Sequence, residues 1–215
     1  MKVVVFGATG MVGQGVLREC LLDPAVTEVV ALVRGGTGQH HAKLREVRQT
    51  DFFAYEPGLF TGAGACLFCL GVSSVGMSQD DYRRVTLDLT LAAARAFATD
   101  APGARFVYVS GAGTDGRAAW AKVKKATEEG VAALDLEAYA VRPGIIRPGR
   151  GVRSKTRLYR VGYAVAGPLL SVLRRVSPRL VITSEELGRA MVRIALHGAP
   201  RRVLEMADLT ALGRR

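Results

Sequence analysis

The chain has 215 residues, 49% hydrophobic and 23% charged, with 25 Gly, 8 Pro and 3 Cys. That length and apolar content suit one domain with a sizeable core and exclude disorder and collagen-like repetition, while three cysteines are too few for a disulfide framework and point to a reducing cytoplasm. The 30 Lys and Arg against 19 Asp and Glu leave a net charge of +11, either a solvated basic face or a field for anionic partners.

The N-terminus, MKVVVFGATG, carries no signal-peptide h-region or cleavage site. Its Lys2–Phe6 run is β-branched and continuous, as in a strand covered on both faces. After the glycines, Val12, Val16, Leu17, Cys20 and Leu21 fall on one helical face, and Asp23-Pro24 stops the helix. Glu28–Val33 reads as the second strand, residues 46–50 as a weaker third and residues 65–70 as a buried fourth. A long helix is predicted over residues 80–99, then strand Arg105–Val109, a helix over 120–134, and a sixth strand over 138–141. The alternation is β-α-β throughout, which predicts an α/β fold: a doubly wound parallel sheet of Rossmann type.

Beyond Arg142-Pro143-Gly144 the rhythm breaks. From Ala138 to Ser184 no acidic residue occurs, while ten Arg and Lys lie between Arg142 and Arg179. Residues 145–183 are therefore expected to form a basic cap or lid within a single domain spanning residues 1–215. Residues 161–173, apolar and flanked by arginines, are too short to span a bilayer but suit a pocket cover, a subunit contact or an interfacial membrane helix. Nucleic acid is a poor fit, since no binding module and little aromatic interleaving accompany the charge. A last helix over 184–196 opens with a capping box, Thr183 with Glu186, and completes a small C-terminal helical cap.

The strongest motif is Gly7-Ala8-Thr9-Gly10-Met11-Val12-Gly13, between the first strand and the first helix. Gly7 permits a tight turn, Gly10 lets backbone approach a pyrophosphate, and Gly13 allows close helix–strand packing; the helix N-terminus adds N–H groups and partial positive charge. Gly7, Thr9, Gly10, Met11, Val12 and Gly13 are thus candidate cofactor-binding residues. NAD sites usually carry an acid at the end of the second strand. Here the strand ends Val33-Arg34-Gly35-Gly36, with no acid between Glu28 and Glu46. Arg34 offers a guanidinium to a 2′-phosphate, so NADP is expected ahead of NAD.

These residues resemble the atypical or extended short-chain dehydrogenase/reductase superfamily, in its NAD(P)-binding epimerase/dehydratase-like group, and especially small members of the Tat-interacting tumour-suppressor reductase type. The matching pieces are GATGMVG, ALVR, Asp51-Phe52, CLGVSS, FVYVSGAG, the lysine helix and AVRPGIIRP. The resemblance implies that Asp51 and Phe52 flank the adenine, that Leu70 and Gly71 line the cofactor, and that Pro143 and Gly144 lie near the nicotinamide. Its chemistry rests on Tyr-x-x-x-Lys plus a Ser or Thr after the fifth strand, in which the lysine lowers the phenol's pKa. This chain has Lys124, with Ser110 and Thr114 as hydroxyl candidates, but Trp120 stands where the tyrosine belongs. An indole N–H has no useful acidity. Lys124 also serves to hold the nicotinamide ribose, and Tyr159 and Tyr163 are further phenols in the C-terminal part.

Cys66 and Cys69 form a C-x-x-C in a strand, where positions i and i+3 face opposite sides, so no metal site is expected there or at His40, His41 and His197. Two functional classes remain open. One is an NADP(H)-dependent oxidoreductase, or an epimerase/dehydratase-type enzyme, acting on a small carbonyl or hydroxyl substrate. The other is a catalytically degenerate NADP(H)-binding sensor. Steady NADPH consumption with a carbonyl panel, against tight binding without turnover, discriminates them.

Overall fold

A computed structural model describes residues 1–149 and 181–214. The chain runs β1 (Lys2–Phe6), α1 (Met11–Leu22), β2 (Glu28–Val33), β3 (Leu44–Arg48), β4 (Ala63–Phe68), α2 (Gln79–Arg83), a π-helical turn (Arg84–Asp88), α3 (Leu89–Asp100), β5 (Arg105–Val109), α4 (Ala119–Ala132), β6 (Glu137–Val141) and β7 (Ile145–Arg147). After residue 180 come β8 (Val181–Thr183), α5 (Ser184–His197), β9 (Val203–Leu204) and α6 (Met206–Arg214). Seven strands form one parallel sheet in the order β3-β2-β1-β4-β5-β6-β9, the doubly wound Rossmann arrangement.

The period of two in each strand divides the core. In β1, Val3 and Val5 face a layer built by α1 and α5, with Val16, Leu17, Leu187 and Met191. Val4 and Phe6 face the other layer, where Phe60, Phe68, Phe97 and Phe106 meet. Phe6 and Phe68 have ring centroids 5.1 Å apart, and Phe60 and Phe97 5.7 Å. Each such ring pair adds about 0.5–1.5 kcal/mol beyond its buried area. Helices α1 and α5 cross at glycine: a Cβ on Gly15 would lie 2.3 Å from the Ser184 carbonyl oxygen, and one on Gly188 2.7 Å from that of Gly15.

The capping box opens α5, with Thr183 Oγ1 accepting the Glu186 N–H and the Glu186 carboxylate accepting the Thr183 N–H at 2.9 Å. Arg189 and Arg193 of α5 donate to the last carbonyls of α6, at Gly213 and Leu212, where cations complement the helix dipole.

Several boundaries differ from the sequence reading. β3 begins two residues earlier than expected because Leu44 pairs with Val29 and Lys43's carbonyl accepts the Val29 N–H; its Arg45 and Glu46 hide the strand signal on an edge. The helix expected over 80–99 contains a π-helical turn, an element that apolar spacing does not reveal. The β7–β8 pair, β9 and α6 carry too little periodicity to be read beforehand. Within the segment expected as a basic cap, residues 145–147 and 181–183 form the β7–β8 ribbon. The interfacial helix over 161–173, Tyr159 and Tyr163 lie outside the described residues. Among the described residues no helix is long and apolar enough to cross a membrane.

Candidate functional site

The glycine turn is built by close approach. Gly7 has φ +75°, and a Cβ there would stand 2.8 Å from the Cys69 carbonyl group, so the turn abuts the end of β4. A Cβ on Gly13 would lie 2.0 Å from the Gly7 carbonyl oxygen. Helix α1 therefore rests directly on the turn. Gly10 is its N-cap and supplies no side-chain cap, no acid occupies the first turn, and Gln14 Nε2 ties the Thr9 carbonyl at 3.0 Å. First-turn N–H groups without a capping oxygen beside glycines that admit no Cβ suit the diphosphate of a dinucleotide.

Above this turn a cleft of about 630 Å³ opens at the carboxyl ends of β1, β4, β5 and β6. Gly10, Met11 and Val12 form one wall, and Gly71, Val72 and Ser73 follow from β4. Ser110, Gly111 and Ala112 follow β5, Trp120 and Lys124 come from α4, and Pro143, Gly144 and Ile146 follow β6. The position is the switch point between β1 and β4, where doubly wound sheets bind ligands.

Ser110 and Thr114 form a directed pair. Thr114 Oγ1 lies 2.7 Å from the Gly111 carbonyl oxygen and 3.1 Å from Ser110 Oγ. A carbonyl only accepts, so Thr114 gives its single hydroxyl hydrogen to Gly111, and Ser110 donates to Thr114. Ser110 Oγ thus faces the cleft as an acceptor, while Thr114 is buried behind it.

Lys124 is partly buried, its Nζ 3.5 Å from the Val109 carbonyl oxygen and 5.4 Å from the centre of the Tyr108 ring. Desolvation lowers its pKa from 10.5 to about 8, against the opposing influence of the Glu128 carboxylate one turn on. Glu128 is held elsewhere. Arg142, 3% exposed, donates from Nε and Nη2 to both Glu128 oxygens at 2.9 and 2.6 Å. It also contacts Asp115 through both terminal nitrogens and Glu205 at 3.0 Å. Asp115 is pulled down to about 2 by its hydrogen bonds to Arg142 and Lys125. Arg142 is thus no member of an exposed basic field, as the charge pattern suggested. It joins the loop after β5, helix α4 and the start of α6 directly before Pro143-Gly144.

Of the residues singled out in the sequence, Gly10, Met11, Val12, Gly71, Ser110, Lys124, Pro143 and Gly144 meet in the cleft. Gly7, Thr9 and Gly13 shape the turn beneath it. Leu70 packs against the phenylalanine layer, and so does Phe52, whose ring lies 6.3 Å from that of Phe6. Asp51 is exposed, and its Oδ1 accepts the Phe53 N–H at 2.8 Å. Arg34 is exposed at the end of β2 and Arg48 at the end of β3. A feature the sequence concealed is Glu46, whose carboxylate reaches the loop after β2 and accepts from the N–H of Thr37 at 2.8 Å and from its hydroxyl. Cys69, Val72, Ser73 and Ile146 were also missed; the first three had only their position after β4 as a signal, and Ile146 lies within β7.

No protein-family model matches the chain. Among curated proteins it is 30% identical over 214 residues to "Protein fmp52, mitochondrial" of Emericella nidulans, covering 91% of this chain and 87% of that protein. It is 30% identical over 228 residues to "Protein FMP52, mitochondrial" of Chaetomium globosum, covering 98% and 96%. These relatives are named mitochondrial, which overturns the cytoplasmic expectation. Cysteine count reports only a reducing milieu and does not separate one such compartment from another. Among solved structures, MoeE5 in complex with UDP-glucose and NAD superposes with TM-score 0.67 at 18% identity, over 95% of this chain and 75% of that one. The UDP-glucuronic acid 4-epimerase of Bacillus cereus in complex with NAD gives 0.69 at 13%, over 96% and 76%. The oxidoreductase ylbE of Lactococcus lactis gives 0.67 at 13%, over 100% and 98%. At these identities the likeness is one of fold, and it is the fold that the sequence motifs resembled.

Proposed function

For a chain that belongs to the FMP52 family and has the Rossmann fold of short-chain dehydrogenase/epimerase-like proteins, we propose the function of a nicotinamide-dinucleotide-dependent oxidoreductase acting on a small carbonyl compound. The observation that carries this reading is the facing of the uncapped glycine turn and Lys124 across one cleft. When bound, a reduced nicotinamide supplies a hydride to the carbonyl carbon. Lys124, with no carboxylate paired to it among the described residues, gives a proton from Nζ to the carbonyl oxygen and is reloaded from water. Its pKa of about 8 suits that role, since a general acid works best near the operating pH. Trp120 cannot donate in this way, and Ser110 accepts instead, holding the hydroxyl of the alcohol product.

NADP is the preferred dinucleotide in this reading. What supports it is the pair of exposed guanidinium groups, Arg34 and Arg48, at adjacent strand ends, with Glu46 engaged by Thr37. The indole at position 120 favours a second reading, a sensor that binds dinucleotide without turnover. Steady-state consumption of NADPH and NADH with neutral ketones decides between them. The reductase reading expects turnover that declines as pH rises through about 8. Stoichiometric binding with no turnover across that range establishes the sensor.

A further inference from the structure

Beside the cleft, on the far side of Trp120, lies a separate cavity of about 210 Å³. The two spaces share Trp120, while Ser73 faces the cleft and its neighbour Ser74 the cavity. Met77, Tyr82, Ala119, Trp120 and Val123 give it apolar and aromatic walls, and Ser74, Ser78 and Gln79 a neutral polar rim. Ser78 has its hydroxyl engaged: Oγ accepts the Asp81 N–H at 3.1 Å and donates to Asp81 Oδ2 at 2.7 Å as the cap of α2. Among the described residues no charged side chain lines the cavity. Asp80 and Asp81 stand in the first turn of α2, next in sequence to Ser78 and Gln79 of the rim.

We propose that this cavity is the substrate's side-chain pocket and that the substrate is an uncharged ketone or aldehyde carrying one apolar arm. The inference rests on the reductase reading of the neighbouring cleft and adds its substrate class. Trp120 and Lys124 are four residues apart on α4, a rise of about 6 Å. A carbonyl whose oxygen accepts from Lys124 therefore has its substituent beside the indole. An apolar cavity of about 150 Å³ accommodates benzene, so this one holds a phenyl ring or a chain of about six carbons. An anionic arm would lose hydration in a pocket whose described lining offers no counter-charge. Val72 and Val75, 49% and 85% exposed on the loop joining the two spaces, extend the apolar surface at the entrance.

Trp120 is the sole tryptophan in the chain and stands between both spaces, so its fluorescence reports each. Titration with NADPH tests the cleft by quenching and energy transfer. Titration with 2-octanone and with 7-oxooctanoate, which share the carbonyl and differ in the charge at the far end, tests the cavity. The neutral ketone is expected to bind at least about tenfold tighter than the anion. Filling the cavity with Val123→Phe, or with Ser74→Phe on the exposed loop should the helix variant fail to fold, is expected to weaken 2-octanone by a similar factor and leave the NADPH response unchanged. Equal affinity for the two ketones, or indifference to both fillings, overturns the proposal. An NADPH response without selective ketone binding overturns the pocket and preserves the reductase reading. Selective ketone binding with no NADPH response supports the pocket and overturns the reductase reading.

Discussion

Arg142 and Lys124 are two cations withdrawn from bulk water around the same helix, and the chain treats them in opposite ways. Arg142 sits among three carboxylates, with both oxygens of Glu128 on its fork. Its charge is locked, and its pKa is pushed further up by those hydrogen bonds. Lys124, one turn before Glu128, faces a carbonyl oxygen and a ring among the described residues, and its charge is held loosely enough to leave near neutrality. The carboxylate that would have pinned the lysine is given to the arginine. A cation surrounded by counter-charge serves architecture, whereas one left unpaired beside a cleft is available for chemistry.

Breaking the architectural cation should have the largest effect. Arg142→Met leaves Glu128 buried without a partner, and loss of one member of a buried pair costs about 3–5 kcal/mol. Urea denaturation reads this directly, and Arg142→Lys should recover little, because an ammonium lacks the planar fork. A loss under about 1 kcal/mol would erase the contrast.

Lys124→Met should act in the opposite sense on stability. Turnover should fall by roughly 10²–10³, near the lower end for loss of a general acid because water can replace it. Stability at pH 7 should rise by about 1–2 kcal/mol, since the wild type holds a desolvated charge. The sign follows from the depressed pKa. Well below pH 8 the lysine is charged in both the folded and unfolded states, and its desolvation penalty is present in full. Between about 8 and its ordinary value of 10.5 the folded state sheds the proton first, so the penalty fades. The variant's advantage should therefore vanish above that range; an advantage independent of pH would point to packing instead.

A third cation, Arg34, is exposed rather than enclosed and tests whether pairing with a ligand replaces pairing with protein. Arg34→Ala should weaken NADPH binding tenfold to a hundredfold, given about 1.5–3 kcal/mol for a charge-assisted contact, with NADH almost unchanged. Equal losses for both cofactors remove the 2′-phosphate assignment. The smallest effect belongs to Asp115, whose side chain is 64% exposed although it shares Arg142. Its stabilising contribution is present above its ordinary value of 3.8 and is lost as pH falls through about 2. Asp115→Asn should thus lower neutral stability slightly, with a difference that vanishes as pH falls through about 2 and so flattens the acid limb of the unfolding profile.

Much of the site was legible because it is local. KVVVF followed by GATGMVG names a strand, a turn and a helix within the first 13 residues, and Gly10 and Gly13 answer contacts with the Gly7 carbonyl, although Gly7 itself meets the distant Cys69. The spacing from Trp120 to Lys124 likewise fixes one turn of helix. Arg142 was misread for the complementary reason: its partners Asp115, Glu128 and Glu205 lie 27, 14 and 63 residues away, and no local pattern distinguishes it from its exposed neighbours. Glu46 was read as the start of the third strand, and parallel pairing of β2 with β3 returns it to Thr37.

The sequence by itself determined the parallel α/β fold, the glycine turn and the presence of a lysine without its tyrosine, because these depend on periodicity and on contacts a few residues long. Tertiary structure decided which charges are bound and which are available. It turned Arg142 inward onto Glu128, left Lys124 without a carboxylate partner among the described residues, directed the Ser110 hydroxyl toward Thr114, and opened a second cavity beside Trp120. The reason is that burial and pairing are set by residues distant in the chain, while the pKa of a side chain and the class of molecule a pocket admits follow from burial and pairing.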